Sequence, residues 1–371
     1  MRSAHHFGST SGPPPVGLSL AGTGRQQVPE PDPPASLHLM RMIVQAMAAK
    51  TVCAAAELGL ADLLAERPMT SEELAESTGT QALPLRRLLL ALAGLGLVTP
   101  LDSGRFALAE PGQPLRTDAP DSVHSLIHTM CGPEVWRSWG ELVPGIRTGR
   151  TPWELAHGLN WADYYARHPY ASASFNLAMS EHTRRQAPAV LAVADLARFR
   201  TVADLGGGDG TLMAHVLREH PALRGVVFDL PSGLETAAAT LRAAGVASRS
   251  RLVTGDFFAS VPVGPDAYLL KQILHDWTDD ECTTILRNVR AAIPDSGRVL
   301  VLERVLPPQV TPGSRQDATT FLLDLHMMVV TGGKERTEQE YRALLEAAGF
   351  SLDRTVALPD SDFRVMEAAP A

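Results

Sequence analysis

The chain has 371 residues, a net charge of −8 and an apolar fraction of 45%, values that suit a globular protein with room for two domains. Its three cysteines lie far apart and form no Cys-x-x-Cys pair, so we expect no metal site and a reducing compartment. No run of Lys and Arg forms a basic stripe, which argues against nucleic acid as a partner. No uninterrupted apolar run approaches the roughly 18 residues of a membrane span, so we expect a cytoplasmic protein without a membrane partner.

The first 35 residues are rich in Pro, Gly and Ser and contain few apolar side chains. They lack the apolar segment and cleavage site that are typical of a signal peptide. Such a composition cannot bury enough apolar surface to fold, so we predict a disordered tail over residues 1–35.

Residues 36–115 have the pattern of three helices and a short hairpin, which is the outline of a winged helix. Apolar residues recur at three- and four-residue spacing from Leu37 onward. Thr70 and Glu73 are spaced for a capping box, and Gly79 is a predicted helix stop. A third helical segment and the hairpin-like run "LDSGRFAL" complete the domain.

A winged helix suggests either DNA binding or a packing role, and the third helix favours packing. Its predicted span, from about Ala82 to Leu95, has Arg86 and Arg87 as its basic cluster. The remaining side chains are mainly Leu and Ala, which suit burial in a partner better than contact with phosphates. We therefore expect a dimerisation or packing role for this domain.

Residues 116–196 are predicted to form further helices that link the two domains and cover the substrate. Four tryptophans are concentrated there, namely Trp136, Trp139, Trp153 and Trp161. These side chains suit a helical core, and the same layer could wall a pocket for a flat, apolar ligand.

Residues 197–371 predict an α/β domain with a doubly wound, Rossmann-like sheet. Short aliphatic runs alternate with helical segments, and each of the following is expected to precede a helix: "TVADL", "GVVFDL", "RLVTG", "AYLL" and "RVLVLERVL". This alternation is typical of βαβ units and a parallel sheet. A last helix, with a capping box at Thr337 and Glu340, precedes the runs "FSLDRTVAL" and "DFRVMEA".

A glycine-rich turn, "LGGGDG", follows the first predicted strand of this domain. Glycines there let the backbone approach a ligand, and the next helix offers its N-terminus to an anionic group. Gly206, Gly208 and Gly210 are followed by Thr211, which departs from the G-x-G-x-x-G of a dinucleotide site. With Asp204 ahead of it, the turn suits a ligand that carries a carboxylate and an ammonium group.

Two further acids end the second and third predicted strands. A carboxylate at Asp229 can accept hydrogen bonds from two ribose hydroxyls, while Asp256 can meet an adenine amino group with Phe257 packed on the ring. Each acid alone could instead be a helix cap or a turn residue. Together with Asp204 they stand at successive strand ends, where ligands of such sheets bind, and they predict a site for a nucleoside that carries an amino acid.

The ordered set "VADLGGGDG", "FDLP", "GDFF", "LLKQILHDW", "LERV" and "GGKERTEQEY" resembles the class I S-adenosylmethionine-dependent O-methyltransferases of the plant caffeate and bacterial polyketide type. The resemblance runs from about Leu37 to the C-terminus. It implies a homodimer held by an N-terminal winged-helix domain and a Rossmann-like catalytic domain. It also implies S-adenosyl-L-methionine as the cofactor and a small aromatic molecule as the substrate.

The resemblance further implies roles for individual residues. The implied cofactor contacts are Asp204, Gly206, Gly208, Asp229, Leu230, Asp256, Phe257, Lys271, Phe175 and Thr183. The implied substrate contacts are Met179, Trp277, His326, Met327 and Val330. His275 matches the catalytic base of the family, and Glu303 and Glu335 match the two acids that flank it.

A histidine suits this reaction because a phenol, with a pKa near 10, attacks poorly while it is protonated. A histidine with an ordinary pKa of about 6.5 is a free base at neutral pH and can take that proton. A neighbouring acid fixes its tautomer and stabilises the imidazolium that forms. Simpler structural roles stay open: a helix cap with His275 as its neighbour, an acid in the N-terminal turn of the helix for Asp276, which is the preferred role of that residue, a helix cap for Glu335, and an ion pair of Glu303 with Arg304 or Lys334.

The expected activity is methyl transfer to a phenolic or enolic hydroxyl of a secondary metabolite derived from a polyketide or an aromatic amino acid. The methionines of the implied pocket could equally be core residues, and His326 could be a second polar contact to the substrate. Transfer to nitrogen or carbon, and cofactor binding without transfer, are alternatives on the same fold. A ligand-sensing regulator is a further alternative, which the Leu- and Ala-rich third helix disfavours.

Overall fold

The computed structural model describes residues 35–359 and 361–371. The predicted disordered tail lies outside the described residues, except for Ala35, where the first helix begins. The chain divides into two compact units, Met1–Gln45 and Ala46–Ala371. The predicted domain boundaries at residues 115 and 196 both fall inside the second unit.

The described residues of the N-terminal part have helices followed by a hairpin, as predicted, but four helices and not three, because the first predicted helical segment divides at Leu58 and Gly59. Its elements are α1 (Ala35–Glu57), α2 (Leu60–Glu66), α3 (Ser71–Thr78), α4 (Ala82–Gly94), β1 (Val98–Pro100) and β2 (Phe106–Leu108). The two strands pair antiparallel, with Val98 opposite Leu108. Leu74, Leu89 and Phe106 are fully or almost fully buried in one apolar cluster, so this part has its own core.

The predicted signals for α3 are confirmed. The Thr70 hydroxyl accepts the backbone N–H of Glu73 at 3.2 Å, and the Glu73 carboxylate accepts the backbone N–H of Thr70 at 2.7 Å. Gly79 ends the helix with a φ of 65°, in the left-handed region that glycine adopts without strain.

Helix α1 carries a row of exposed apolar side chains near its start. They are Leu37, Leu39, Met40, Met42, Ile43, Val44 and Met47. By length and composition alone, Ser36–Glu57 could cross a membrane, with a mean hydropathy of 1.3. Arg41 and Lys50 interrupt the apolar run, in agreement with the sequence analysis, but neither residue ends the helix.

A layer of helices follows, as predicted. It consists of a 3₁₀ helix (Glu110–Leu115), α5 (His124–Cys131), α6 (Pro133–Gly140), α7 (Leu142–Thr148), α8 (Pro152–His157), α9 (Trp161–Arg167) and α10 (Pro169–Val193). Trp153 is completely buried and packs with Val135, Val329 and Val330. Its ring also meets the Tyr164 ring edge-on at 5.2 Å. For Trp153, the core interpretation is the correct one.

The C-terminal part is an eight-stranded mixed sheet with helices on both faces. The strands are β3 (Thr201–Leu205), β4 (Arg224–Asp229), β5 (Ser250–Thr254), β6 (Ala267–Lys271), β7 (Arg298–Leu306), β8 (Arg336–Thr337), β9 (Phe350–Ala357) and β10 (Phe363–Pro370). The helices are α11 (Thr211–Glu219), α12 (Ala237–Ala243), α13 (Asp279–Ala292), α14 (Arg315–Val330) and α15 (Glu338–Ala347). The spatial order is β5-β4-β3-β6-β7-β10-β9, and β8 pairs with β7.

The alternation of side chains along the strands builds a core on each face of the sheet. Leu269 and Leu300 belong to the apolar cluster that includes α11 and α12, whereas Tyr268 and Val301 belong to the cluster that includes α13 and α15. Strands β3 to β7 are parallel, and β10 pairs antiparallel with both of its neighbours, β7 and β9. The predicted doubly wound architecture is confirmed.

One connection differs from the prediction. Strand β5 ends at Thr254 and the chain reaches β6 at Ala267 through turns, with no helix between them. The Phe257 and Phe258 rings pack on the core cluster that a helix would otherwise cover.

The carboxyl ends of the parallel strands meet along one edge of the sheet. Asp229 is the last residue of β4, Lys271 is the last residue of β6, and Leu302, one residue before Glu303, pairs with Lys271. The predicted site residues from separate strands therefore come together at this edge, where ligands of parallel sheets bind.

Candidate active site

The glycine turn after β3 is built for close approach by a ligand. Gly206 and Gly208 have φ values of 67° and 55°, which side-chain-bearing residues adopt only with strain. A Cβ atom at Gly206 would collide with the Ile273 side chain, whereas no atom lies within 4 Å of a Cβ atom built on Gly208. The turn is thus packed on one side and open at Gly208.

The Asp229 carboxylate accepts a hydrogen bond from this turn and can still accept others. Its Oδ2 accepts the Gly208 N–H at 2.8 Å, and its Oδ1 accepts the Leu230 N–H at 2.7 Å. Burial raises the pKa of Asp229, and these two backbone donors oppose the rise. Each oxygen retains a second lone pair, which suits two vicinal hydroxyls. The Leu230 side chain beside it is exposed.

Asp204 supplies a buried polar atom without a partner. Its carboxyl group is almost completely buried, and Oδ2 makes no hydrogen bond to any described residue. Burial raises the pKa of Asp204 to about 7, although the Lys271 cation opposes that rise. A buried acceptor that lacks a donor is costly, so this atom fits a ligand that brings one.

Lys271 is the last residue of β6, and Gln272, which follows it, has a strained backbone conformation. The Lys271 ammonium donates to the Gln272 side-chain oxygen at 2.6 Å, and burial lowers the pKa of Lys271 to about 8. Gln272 has a φ of 54°, the one positive φ of a non-glycine residue in the described ranges. Strain of this kind concentrates at functional sites. Sequence reasoning missed Gln272, because the segment "LLKQIL" contains no turn signal.

Asp256 and Phe257 lie in the turn after β5. Asp256 is exposed, and its Oδ1 accepts the Phe258 N–H at 2.8 Å. The Phe257 ring is half-buried and lies edge-on to the Trp277 ring, with centroids 6.1 Å apart. The structure therefore brings the predicted adenine contacts to the edge that also carries Trp277.

Helix α10 presents Phe175, Met179 and Thr183 at four-residue intervals, which places them on one face. All three are half-buried. His182 lies on the same side, and its pKa is lowered to about 3 by burial first and by the nearby Lys271 cation second. The electrostatic effect of Lys271 on His182 indicates that this face of α10 is directed toward Lys271. Sequence reasoning did not select His182, whose signal would have been its position beside Thr183.

His275 lies in a 3₁₀ turn, Leu274–Asp276, between β6 and α13. Helix α13 is capped by Thr278, which forms a capping box with Glu281. The interpretation of His275 and Asp276 as parts of a helix cap or its first turn is therefore wrong, since both residues precede the cap. Asp276 is instead in the site: its Oδ1 lies 3.8 Å from His275 Nε2, and burial raises its pKa to about 6.

The three predicted catalytic residues are in contact. His275 Nδ1 lies 3.1 Å from Glu335 Oε1 and 3.8 Å from Glu303 Oε2. Glu303 Oε1 accepts the backbone N–H groups of Ile273 at 2.9 Å and Leu274 at 2.8 Å. This arrangement leaves Nε2 of His275 without a hydrogen-bond partner among the described residues.

The simpler roles proposed for the two acids are wrong. Glu335 precedes β8, and α15 is capped by Thr337 through the predicted box with Glu340, so Glu335 caps no helix. Arg304 pairs with Glu335 and Asp362, and Lys334 pairs with Asp279 and Glu340. Glu303 forms no ion pair with either cation. Glu303 also lies within β7 and not at the end of that strand.

The electrostatics of His275 differ from the expectation of a free base at neutral pH. Burial alone would lower the pKa of His275, but the carboxylates of Glu303, Asp276 and Glu335 outweigh it and raise the pKa well above its ordinary value. Conversely, burial raises the pKa of Glu335, but His275 and Arg304 bring the balance below the ordinary value. His275 and Glu335 therefore form a charged pair in this state of the site.

Residues that orient these groups were missed from sequence. Arg304 Nη1 donates to Glu335 Oε1 at 3.2 Å, and Asp324 Oδ1 accepts the Glu335 N–H at 2.9 Å. The buried Arg336 donates to the carbonyl oxygens of Leu274 at 2.8 Å and Trp277 at 2.7 Å, on either side of His275. Arg304 follows Glu303 in sequence, and Arg336 follows Glu335. A cation next to each predicted acid was the signal that could have identified them.

The ligand atoms of His275, Glu303 and Glu335 lie within 4.8 Å of one another. One imidazole and two carboxylates could hold a divalent cation as well as a proton. Arg304 already pairs with Glu335, and backbone N–H groups already donate hydrogen bonds to one oxygen of Glu303. The set is thus organised around hydrogen bonds.

The predicted substrate contacts differ in their surroundings, and one of them lies in an apolar core cluster. The Trp277 ring lies 6.0 Å from the Trp161 ring, and the buried His326 accepts the Trp139 indole N–H on Nδ1 at 3.3 Å. Met327 is half-buried. Val330, by contrast, is packed in the apolar cluster around Trp153, which agrees with its core alternative.

Two sequence families match the chain. An O-methyltransferase domain matches residues 139–351, and an O-methyltransferase dimerisation domain matches residues 40–113. The first match includes the residues that form the glycine turn, the His275 turn and both predicted catalytic acids.

Individual proteins match over most of the chain. The O-demethylpuromycin-O-methyltransferase of Streptomyces alboniger is 43% identical over 320 residues, which is 85% of this chain and 84% of that protein. A phenazine O-methyltransferase of Lysobacter antibioticus is 38% identical over 91% of this chain and 97% of its own. Human N-acetylserotonin methyltransferase, solved in complex with S-adenosylmethionine, superposes with a TM-score of 0.83 at 28% identity, covering 93% of this chain and all of that chain.

Proposed function

Because the chain belongs to the S-adenosylmethionine-dependent O-methyltransferase family, we propose that it methylates a phenolic or enolic hydroxyl of a small aromatic secondary metabolite. Its relatives act, by name, on O-demethylpuromycin and on a phenazine. The observation that carries the proposal is the contact of His275 Nδ1 with Glu335, which leaves Nε2 free to meet a hydroxyl.

His275 is the general base in this proposal. Bound S-adenosylmethionine supplies a methyl group on a positively charged sulfur. His275 Nε2 takes the hydroxyl proton, while Nδ1 donates to Glu335 and keeps the ring in place. Glu303 and Glu335 stabilise the resulting imidazolium. The same charges hold a proton on His275 at rest, so this proton must leave before the base can act.

The remaining site residues are assigned to cofactor and substrate. We assign to the cofactor Asp204, Gly206, Gly208, Asp229, Leu230, Asp256, Phe257, Lys271, Phe175 and Thr183. We assign to the substrate Met179, Trp277, His326 and Met327, and we leave Val330 to the apolar cluster around Trp153. The open space at Gly208, the free lone pairs of Asp229 and the unpaired oxygen of Asp204 support a ligand with ribose hydroxyls and an ammonium group.

We further propose a cytoplasmic homodimer that needs no metal and binds neither nucleic acid nor a membrane. The match of the dimerisation domain to residues 40–113 covers most of α1, so a second copy accounts for the exposed apolar row better than a bilayer does. Light scattering of the full chain, with and without anionic vesicles, tests this assignment. A chain that scatters light as a monomer and binds to the vesicles contradicts this assignment.

The activity is tested by incubating the purified chain with methyl-labelled S-adenosylmethionine and a panel of phenols and anilines. We expect one labelled methyl group on oxygen. His275→Gln should lower the rate by about 10²–10⁴-fold while S-adenosylhomocysteine, titrated calorimetrically, still binds. Methyl transfer to nitrogen or carbon, or a His275→Gln variant as fast as the parent, contradicts the proposal.

A further inference from the structure

His275 and His326 are two buried histidines of opposite hydrogen-bonding character. An ionised carboxylate only accepts hydrogen bonds, so the contact of His275 Nδ1 with Glu335 requires the hydrogen on Nδ1. Once His275 is neutral, its Nε2 therefore carries a lone pair. That nitrogen can take a proton, but it cannot donate one to the substrate.

Trp139 imposes the other tautomer on His326. An indole N–H is a donor only, and it reaches His326 Nδ1 at 3.3 Å, so Nδ1 must be the acceptor. A neutral imidazole with an accepting Nδ1 carries its hydrogen on Nε2. Burial and the neighbouring His275 lower the pKa of His326 to about 4, so the ring stays neutral near pH 7 and cannot serve as a second base.

The Nε2 atom of His326 needs an acceptor. It forms no hydrogen bond within residues 35–359 and 361–371, and it is not among the unpartnered atoms that are fully enclosed. His326 is 7% exposed, so most of its side chain is shielded from water. A buried donor of this kind loses stability unless a ligand satisfies it.

Resting on the proposed function, we infer that the substrate carries a hydrogen-bond acceptor beside the hydroxyl that is methylated, and that His326 Nε2–H donates to it. Suitable acceptors are a carbonyl, a carboxylate or a ring nitrogen. An adjacent carbonyl otherwise holds the hydroxyl proton in an internal hydrogen bond. Donation from His326 competes for that carbonyl and turns the hydroxyl proton toward Nε2 of His275.

Two isomeric probes test the inference. In 1-hydroxyanthraquinone the hydroxyl lies beside a carbonyl, and in 2-hydroxyanthraquinone it does not. His326→Phe keeps a flat ring but removes the donor, whereas His326→Asn keeps an N–H donor. Comparing each variant with the parent on the same probe cancels the intrinsic reactivity of the two phenols.

We expect His326→Phe to lower kcat/KM for the 1-isomer by at least about tenfold more than for the 2-isomer, the effect of losing one buried hydrogen bond. His326→Asn should recover most of that difference. Equal losses on both probes, or an Asn variant no better than the Phe variant, overturn the inference. Unchanged binding of S-adenosylhomocysteine shows that the variants are folded.

A failure of the proposed function is distinguishable from a failure of this inference. If the parent methylates neither probe, the two isomers are titrated by tryptophan fluorescence against the protein saturated with S-adenosylhomocysteine. The inference then requires tighter binding of the 1-isomer by the parent than by His326→Phe. Nitrogen-15 NMR of labelled histidine also reports the tautomer directly, and a hydrogen on Nδ1 of His326 overturns the inference.

Discussion

Arg304 and His275 contact the same oxygen atom of Glu335, at 3.2 Å and 3.1 Å. The two cations together keep the pKa of Glu335 low in spite of its burial. Glu335 is therefore ionised over the working pH range, and its charge adds to that of Glu303 in raising the pKa of His275. The base strength of His275 is set by carboxylates that are themselves held in place.

Glu335→Gln should move the pH profile of methyl transfer to lower pH. A base works only when deprotonated, so activity is lost as the pH falls through the pKa of His275, which is raised in the parent. Removing one negative charge lowers that pKa, and the ascending limb of kcat/KM should shift to acid by about one pH unit or more. The plateau should also fall, since the imidazolium is less stabilised. The profile is measured at saturating cofactor from about pH 6 to about pH 10.

A matched control separates this effect from net charge. Glu338→Gln removes one negative charge from an exposed position on α15, where Glu338 pairs with Arg342. Its profile should coincide with that of the parent, because exposed charges are screened. An alkaline shift in Glu335→Gln, or equal shifts in both variants, contradicts the assignment of Glu335.

The parts of the fold and site that could be predicted are those encoded over short stretches. Alternating aliphatic runs located β3 and β7 with their correct bounds, and capping boxes located the starts of α3 and α15. The proposed catalytic set followed from motifs around His275, which follows β6, and Glu303, which lies within β7. Parallel strands then bring such residues to one edge.

The remainder depends on contacts between distant residues. The hydrogen bond from Trp139 to His326 spans 187 positions, and no local pattern reports it. The raised pKa of His275 likewise arises from the carboxylates of Glu303 and Glu335, which are distant in sequence, together with that of the adjacent Asp276, so the model-peptide value misled the prediction. The left-handed Gln272 is held by the sheet around it and not by its own propensity.

Asp229→Ala should weaken cofactor binding more than any other single change at a strand end. It removes the acceptor for the Gly208 N–H and both lone pairs assigned to the ribose. We expect the Kd for S-adenosylhomocysteine to rise by at least about tenfold to a hundredfold, as for loss of charged hydrogen bonds. Calorimetric titration measures this. Asp256→Ala, at an exposed position with one assigned hydrogen bond, should give a smaller rise, and the reverse order contradicts the assignment.

Gln272 offers a measurement of strain at the site. Gln272→Gly and Gln272→Ala both remove the oxygen that Lys271 contacts at 2.6 Å, but only glycine relaxes at a φ of 54°. The glycine variant should be more stable than the alanine variant by about 1–2 kcal/mol, measured by urea unfolding. Both should lose cofactor affinity. Equal stabilities would show that the positive φ costs nothing.

Arg336 should be the largest single contributor to the stability of the His275 turn. Its side chain is fully buried, donates to the carbonyl oxygens of Leu274 and Trp277, and pairs with Asp279 at 2.8 Å. Arg336→Met removes these hydrogen bonds and the ion pair, and it should lower the free energy of unfolding by about 2–3 kcal/mol. Arg336→Lys keeps the charge but not the planar fork, so it should lie between the parent and Met. In urea unfolding, a Met variant within about 0.5 kcal/mol of the parent, the range of ordinary surface substitutions, contradicts this role.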